Sequence, residues 1–174
     1  GDYTVEIARR LLSSGHSVAI ISIADRHVDI RSDGLRAGCK TIRLPKQSDW
    51  NARWKQLREY IEENKPDWVS LQWVGFGYQD KGLPIFFGRH LRNAIGATSL
   101  HVMCHEIWVE ADGSKSFKGR VYSQLQREVH RRCFKALRPA CIHTTTEPYK
   151  RALELIGFSA GILPLGSNIH GDEY

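Results

Sequence analysis

The residues with the most chemical promise stand at the end of an apolar run. Leu100 to Cys104 is followed at once by His105 and Glu106, then by Trp108 and a polar loop containing Gly113. An apolar run of that length reads as a buried strand, and an open α/β sheet places its ligand chemistry at the carboxyl ends of its strands. A histidine in that position is suited to proton transfer or to a purely structural hydrogen bond, and the pattern leaves both open. Glu106 fits a general base, an orienting partner for a histidine, or a helix cap. Trp108 fits a stacking platform for a sugar or base, or ordinary packing.

Other candidates lie at similar places along the chain. Gln72 and Trp73 end a second strand-like run and precede Gly75, Gly77, Tyr78 and Gly82. Glycines there either let the backbone approach a ligand or simply make the turn. Thr144 to Thr146 precede a helix, where hydroxyls suit a phosphate at the helix N-terminus or plain capping. The basic group Arg127, Arg131, Arg132 and Lys135 reads as a solvated helix face, with a membrane-surface role as the other reading. The cysteines Cys39, Cys104, Cys133 and Cys141 form no CxxC pair. Free thiols in a reducing compartment are expected in place of disulfides or zinc. His101, His105, Glu106 and His143 show no metal-ligand spacing, so no metal and no cofactor is expected. The chain has no P-loop, no GxSxG elbow and no complete GxGxxG.

The elements that must position these residues follow from periodicity. The opening residues lead into a helix with Val5, Ala8 and Leu12 on one face and Gly15 as its stop. His16 to Ala24 reads as a strand, residues 25–38 as turn-rich, and Thr41 to Leu44 as a short strand. A helix from about Asp49 to Asn64 carries Trp50, Trp54, Leu57 and Ile61 on one stripe. Trp68 to Trp73 is the next strand and Val74 to Gly82 a loop. A helix with Phe87, Leu91 and Ile95 ends at Gly96. Arg120 to Leu137 reads as a long helix with Val121, Leu125, Val129 and Cys133 inward. Ala140 to His143 is a strand, Thr144 to Pro148 turns into a helix closed by Gly157, and Ala160 to Leu163 is a last strand.

Strands and helices alternate throughout, the signature of a Rossmann-like, doubly wound, mostly parallel sheet with helices on both faces. Such folds open with a strand, so a first strand upstream of Gly1 is expected. At 174 residues, with 41% hydrophobic and 25% charged side chains, the composition is that of a globular domain and not of a disordered chain. No apolar run approaches the roughly 20 residues that span a bilayer. A formal charge of +6 suits phosphorylated ligands, anionic lipid or nucleic acid, without choosing among them.

Several stretches together resemble the N-terminal domain of retaining glycosyltransferases with the GT-B fold, of the bacterial group 1 type. They are Gly1-Asp2-Tyr3-Thr4 with Gly15-His16-Ser17-Val18, Pro66-Asp67-Trp68-Val69 through Gln72 to Gly82-Leu83-Pro84, His105-Glu106, Thr145-Thr146-Glu147, and Leu163 to Ile169. The resemblance implies that residues 1–165 are the acceptor-side domain and 166–174 the start of an interdomain linker. A donor-binding C-terminal domain would follow. It implies hexosyl transfer from a nucleotide-sugar to a carbohydrate or lipid-linked acceptor with retention of configuration, without a metal, by a chain inactive on its own. His105 and Glu106 would be the catalytic pair, with His105 against the transferred sugar or donor phosphate. Gly1, Asp2, Tyr3, Gln72, Tyr78, Trp108, Thr145 and Glu147 would line the donor or acceptor cleft. The implied setting is cytoplasmic, at the inner face of a membrane with peripheral contact, and without nucleic acid. A stand-alone binding module for a phosphorylated ligand and a GT-B sugar epimerase are the alternatives.

Overall fold

The computed structural model describes residues 2–79, 81–107 and 117–163. The elements run α1 (Asp2–Ser13), β1 (Ala19–Asp25), β2 (Ser32–Arg36), β3 (Cys39–Pro45), α2 (Trp50–Asn64), β4 (Trp68–Val74) and α3 (Gly75–Tyr78). Then come α4 (Phe87–Ile95), β5 (Ser99–Glu106), α5 (Phe117–Leu137), β6 (Cys141–Thr144), α6 (Glu147–Leu155) and β7 (Gly161–Ile162). This is an α/β fold in two compact units, one reaching to Arg53 and the other starting at Trp54. No described helix is long and apolar enough to cross a membrane.

The first unit holds a sheet in the order β1-β3-β2, with β1 parallel and β2 antiparallel to β3. Strand β2 falls within the stretch expected to be turn. Its residues are mostly polar and Leu35 is 80% exposed, so it has no apolar pattern to read. The hairpin closes on Ala37 and Gly38, whose φ values of 50° and 79° match the turn that fits strand twist. Helix α1 buries Ala8 and ends as expected: Gly15 has φ +86°, and the His16 N–H donates to the Leu11 carbonyl at 3.0 Å. An ion pair joins Asp25 at the end of β1 to Arg43 on β3, with Nε donating to Oδ2 at 2.8 Å. The Arg43 guanidinium holds the Asp25 carboxyl below its ordinary range.

In the second unit β4, β5, β6 and β7 lie side by side in sequence order, all parallel. Parallel neighbours require crossovers, which α4, α5 and α6 supply. Alternation along the strands divides the sheet into two unlike faces. One is apolar: Leu71 and Trp73, then Leu100, Val102 and Cys104, then Ile142 are all buried. Trp73 meets Phe87 of α4 and Phe134 of α5 with ring centroids 5.6 and 5.2 Å apart. The other face carries Ser70, Gln72, His101, Cys141 and His143. Trp54, Leu57 and Ile61 of α2 are buried at the expected stripe positions.

Helix α5 departs from the expected stripe. Val129 and Cys133 are buried, but Val121 and Leu125 are each 49% exposed, and Ser123, Gln126 and His130 face inward instead. A strict i, i+4 stripe rotates about 40° per step around a 3.6-residue helix. Over 21 residues the buried line must therefore mix steps of three and four. The expected loop after β4 contains a single helical turn, α3.

Helices α4 and α5 approach closely at Gly88. A Cβ placed there would lie 2.3 Å from the Cys133 carbonyl oxygen and 2.9 Å from its Sγ. Arg92 ties the carboxyl ends of both helices together, donating to the carbonyls of Leu137 at 2.8 Å, Gly96 at 3.0 Å and Thr98 at 3.0 Å. That places a cation where helix carbonyls lack partners. Gly88→Ala should destabilise the protein by about 1–3 kcal/mol through overpacking, less the ~1 kcal/mol that alanine returns in helix propensity. A thermal melt should show a lower Tm, and an unchanged or higher Tm would disprove the tight contact.

Candidate active site at the strand ends

The register between β4 and β5 pairs Trp73 with Cys104 and then Val74 with Glu106, so His105 is an extra residue in β5. Such a bulge re-aims its side chain and is common beside functional sites. Here it brings His105 Nε2 to 2.9 Å from Gln72 Oε1. Gln72 Nε2 donates to Ser70 Oγ at 3.0 Å, which turns the amide oxygen toward His105. The His105 Nε2–H is therefore the donor, and in the neutral ring the lone pair sits on Nδ1. Burial pushes the His105 pKa below its ordinary 6.5, while the neighbouring Glu106 carboxylate pulls it back up. Glu106 itself is exposed at the strand's end.

Tyr78 is positioned by α3 behind this pair. Its hydroxyl donates to the Gln72 carbonyl at 2.8 Å, and its ring lies 4.2 Å from that of Phe87. Burial raises its phenol pKa. The structure thus uses the hydroxyl to hold the backbone under Gln72. The glycines of this segment also have packing reasons. A Cβ on Gly75 would stand 2.9 Å from His130 Nε2 and 3.5 Å from the Ile107 carbonyl oxygen. Gly82 has φ +63° and packs on Phe76 and Gln126.

His130 is a residue that reading the sequence overlooked. It is fully buried on α5, donates from Nδ1 to the Gln126 carbonyl at 2.8 Å, and its ring stands 5.5 Å from that of Trp73. It supports two segments at once: Gly75 after β4 and Ile107 after Glu106. Only its place on a helix expected to turn an apolar stripe inward could have pointed to it.

On the next strand Thr144 is opposite Cys104 in register and is buried, with Oγ1 donating to the Cys104 carbonyl at 3.0 Å. Thr145 follows, half-buried. Thr146 is the N-cap residue of α6 but makes no side-chain capping bond. Glu147 stands in the first turn of α6, 3.8 Å from Lys150 Nζ and 3.7 Å from Arg151 Nε. Asp2 opens α1 and Tyr3 follows it, both in the first unit. Gly1, Trp108, the loop around Gly113 and residues 166–174 lie outside the described residues.

The polar face holds a cluster that sequence spacing did not suggest. His101 Nδ1 is 2.8 Å from Ser70 Oγ, and His101 Nε2 is 3.1 Å from His143 Nδ1. Cys141 joins them, with one ligand atom from each of the three lying within 4.8 Å of the others. These are the described residues that could hold a metal ion. Their signal in the sequence is the i, i+2 spacing of polar residues in strands: Ser70 and Gln72, Cys141 and His143.

A parallel sheet with helical crossovers, carrying polar side chains at the carboxyl ends of its strands, makes this a Rossmann-like α/β domain. Residues 1–164 match the glycosyl transferase 4-like domain, and the chain belongs to that family. The family assignment makes it a transferase domain whose substrates are a sugar donor and an acceptor. Comparison with curated proteins and with solved structures gave no match.

Burial keeps His130 below its ordinary pKa of 6.5. Between that lowered value and 6.5 the unfolded chain binds more protons than the folded one, so stability rises with pH there and is lost on acidification. Urea unfolding at pH 7.5 and 5.5 should show the lower midpoint at pH 5.5 and a smaller pH dependence in His130→Gln. An identical pH dependence in that variant would show that His130 is not protonated on unfolding.

Proposed function

We propose that this chain forms the acceptor-side half of a retaining GT-B glycosyltransferase that moves a hexosyl group from a nucleotide-sugar to a carbohydrate or lipid-linked acceptor. The observation that carries the reading is the family match over residues 1–164, which includes the bulged His105 at the end of β5. Sugar transfer passes through an oxocarbenium-like transition state, with charge building on the leaving phosphate. A neutral His105, its ring held by Gln72, is suited to hydrogen-bond the transferred sugar or the departing phosphate. Glu106 follows it at the end of β5 on the proposed acceptor side, and Thr145 and Glu147 belong to the proposed cleft.

In this reading the donor's diphosphate is held mainly by a second Rossmann-like domain, and transfer needs no metal. The net charge of +6 suits an anionic donor and contact with an anionic membrane surface on the cytoplasmic side. Fused to its second domain, the protein should transfer sugar from a nucleotide-sugar, whereas the 174-residue chain alone should not. His105→Ala in the fused protein should lower kcat by about 100-fold. Gln72→Ala should lower it less, by about 10-fold, because Gln72 acts only by positioning His105. Unchanged turnover in His105→Ala would remove His105 from the site. Robust transfer by the isolated chain would overturn the half-enzyme reading, and a product of inverted configuration would overturn retention.

A further inference from the structure

We propose that His101, Cys141 and His143 form a binding site for a thiophilic divalent metal ion, zinc in particular, on the polar face of the four-stranded sheet. Two imidazole nitrogens and a thiolate make a donor set that zinc prefers and that magnesium and calcium do not. Three protein ligands leave a fourth tetrahedral position for water or another donor.

The geometry is close to what the ion needs. Zinc bound by two imidazoles at about 2.0–2.1 Å in a tetrahedron separates their nitrogens by about 3.3 Å, and His101 Nε2 and His143 Nδ1 are 3.1 Å apart. The strands enforce this proximity, since His101 pairs with Cys141 in the β5–β6 register and His143 lies two residues further along the same face. The side chains are half-buried, so the backbone holds them while an ion can still reach them.

Both rings are also seated before any metal arrives. Ser70 Oγ lies 2.8 Å from His101 Nδ1. When that nitrogen carries the proton and donates to Ser70, the lone pair is left on Nε2, facing the cluster. A hydrogen bond on the far ring nitrogen is the usual means of orienting a ligating histidine. The ring of His143 lies against Gly161 of β7, where a Cβ would come within 2.8 Å of its Cδ2 and 3.1 Å of its Nε2. Any larger residue at that position would push the ring away from His101.

Binding requires lone pairs on His101 Nε2 and His143 Nδ1 together. The proton that bridges them in the metal-free protein moves to the other nitrogen of its ring, and both imidazoles stay neutral. Cys141 loses its thiol proton as the sulfur–zinc bond forms, so one proton is released per ion bound. The site lies four residues before His105 on β5, about 13 Å along the strand at ~3.3 Å per residue, and is separate from the proposed sugar chemistry.

The test uses the tag-free full chain, stripped with chelator and titrated with zinc chloride by calorimetry. Cobalt(II) serves as a spectroscopic stand-in. Binding of one zinc per chain and a thiolate-to-cobalt charge-transfer band are expected. His101→Asn and Cys141→Ala should each weaken zinc by about 100-fold, and Ser70→Ala, which removes no ligand, by about 10-fold. Zinc should raise the Tm of the parent protein but not that of Cys141→Ala. Because Ser70→Ala and Cys141→Ala are small changes, their far-ultraviolet circular dichroism should match the parent. Absence of stoichiometric binding, or equal zinc affinity in the parent, His101→Asn and Cys141→Ala, would overturn the site.

Discussion

The packing of Trp73 constrains much of the second unit. Its side chain is fully buried one residue before the end of β4, with the rings of Tyr78, Phe87, His130 and Phe134 all within 5.2–5.6 Å. Those rings come from α3, α4 and α5, so a single indole fixes where three helices meet the strand end. Burial of a side chain this large stabilises by roughly 2–3 kcal/mol before any aromatic geometry is counted. The chain leaving β4 has to turn at once into α3 for Tyr78 to reach this group. That turn brings Gly75 against His130, where no larger residue would fit.

Alternation then dictates the other face. With Trp73 and Leu71 directed into the core, Ser70 and Gln72 must point the opposite way. There they meet His101 and His105, and a continuous line of side-chain hydrogen bonds runs from His105 through Gln72 and Ser70 to His101 and His143. Gln72, His101, His105 and His143 are half-buried and costly when unpaired, and the exposed Ser70 links two of them, so each of the four constrains its neighbours. The bulge at His105 is part of the same arrangement, because it returns that ring to Gln72 at the point where β5 ends.

Local rules made much of the frame legible. Gly15, Gly96 and Gly157 each have positive φ just past a helix, as their place after an apolar stripe suggested. Of the stripe Trp50, Trp54, Leu57 and Ile61 all but the half-buried Trp50 are buried, and Phe87, Leu91 and Ile95 are buried as their spacing implied. His105 does stand at a strand end. What failed to show was whatever depends on register or on distant partners. Strand β2 is polar and is held by pairing with β3, not by burial. Helix α5 looked regular at i, i+4, but it faces the core with Ser123, Gln126 and His130 as well, which no apolar pattern marks. The bulge arises from the pairing of β4 with β5 and has no signature in either strand alone. His101 and His143 are 42 residues apart, and only the parallel β5–β6 ladder makes them neighbours.

The same ladder puts the two proposed sites on one strand, and the hydrogen-bond line shows how they can share it. The Gln72 amide is held in one sense, with its oxygen toward His105 and its nitrogen toward Ser70. Ser70 has no such restriction, because a hydroxyl can donate one bond while accepting others. If His101 Nδ1 carries a lone pair, Ser70 donates to it; if it carries a proton, Ser70 accepts from both His101 and Gln72. In either case the Gln72 N–H still finds Ser70 Oγ, and its oxygen still receives the His105 N–H. A change of tautomer at His101 is therefore absorbed by rotation of one hydroxyl and does not pass on to the His105 ring. Ser70 joins the two ends mechanically while keeping their protonation states independent.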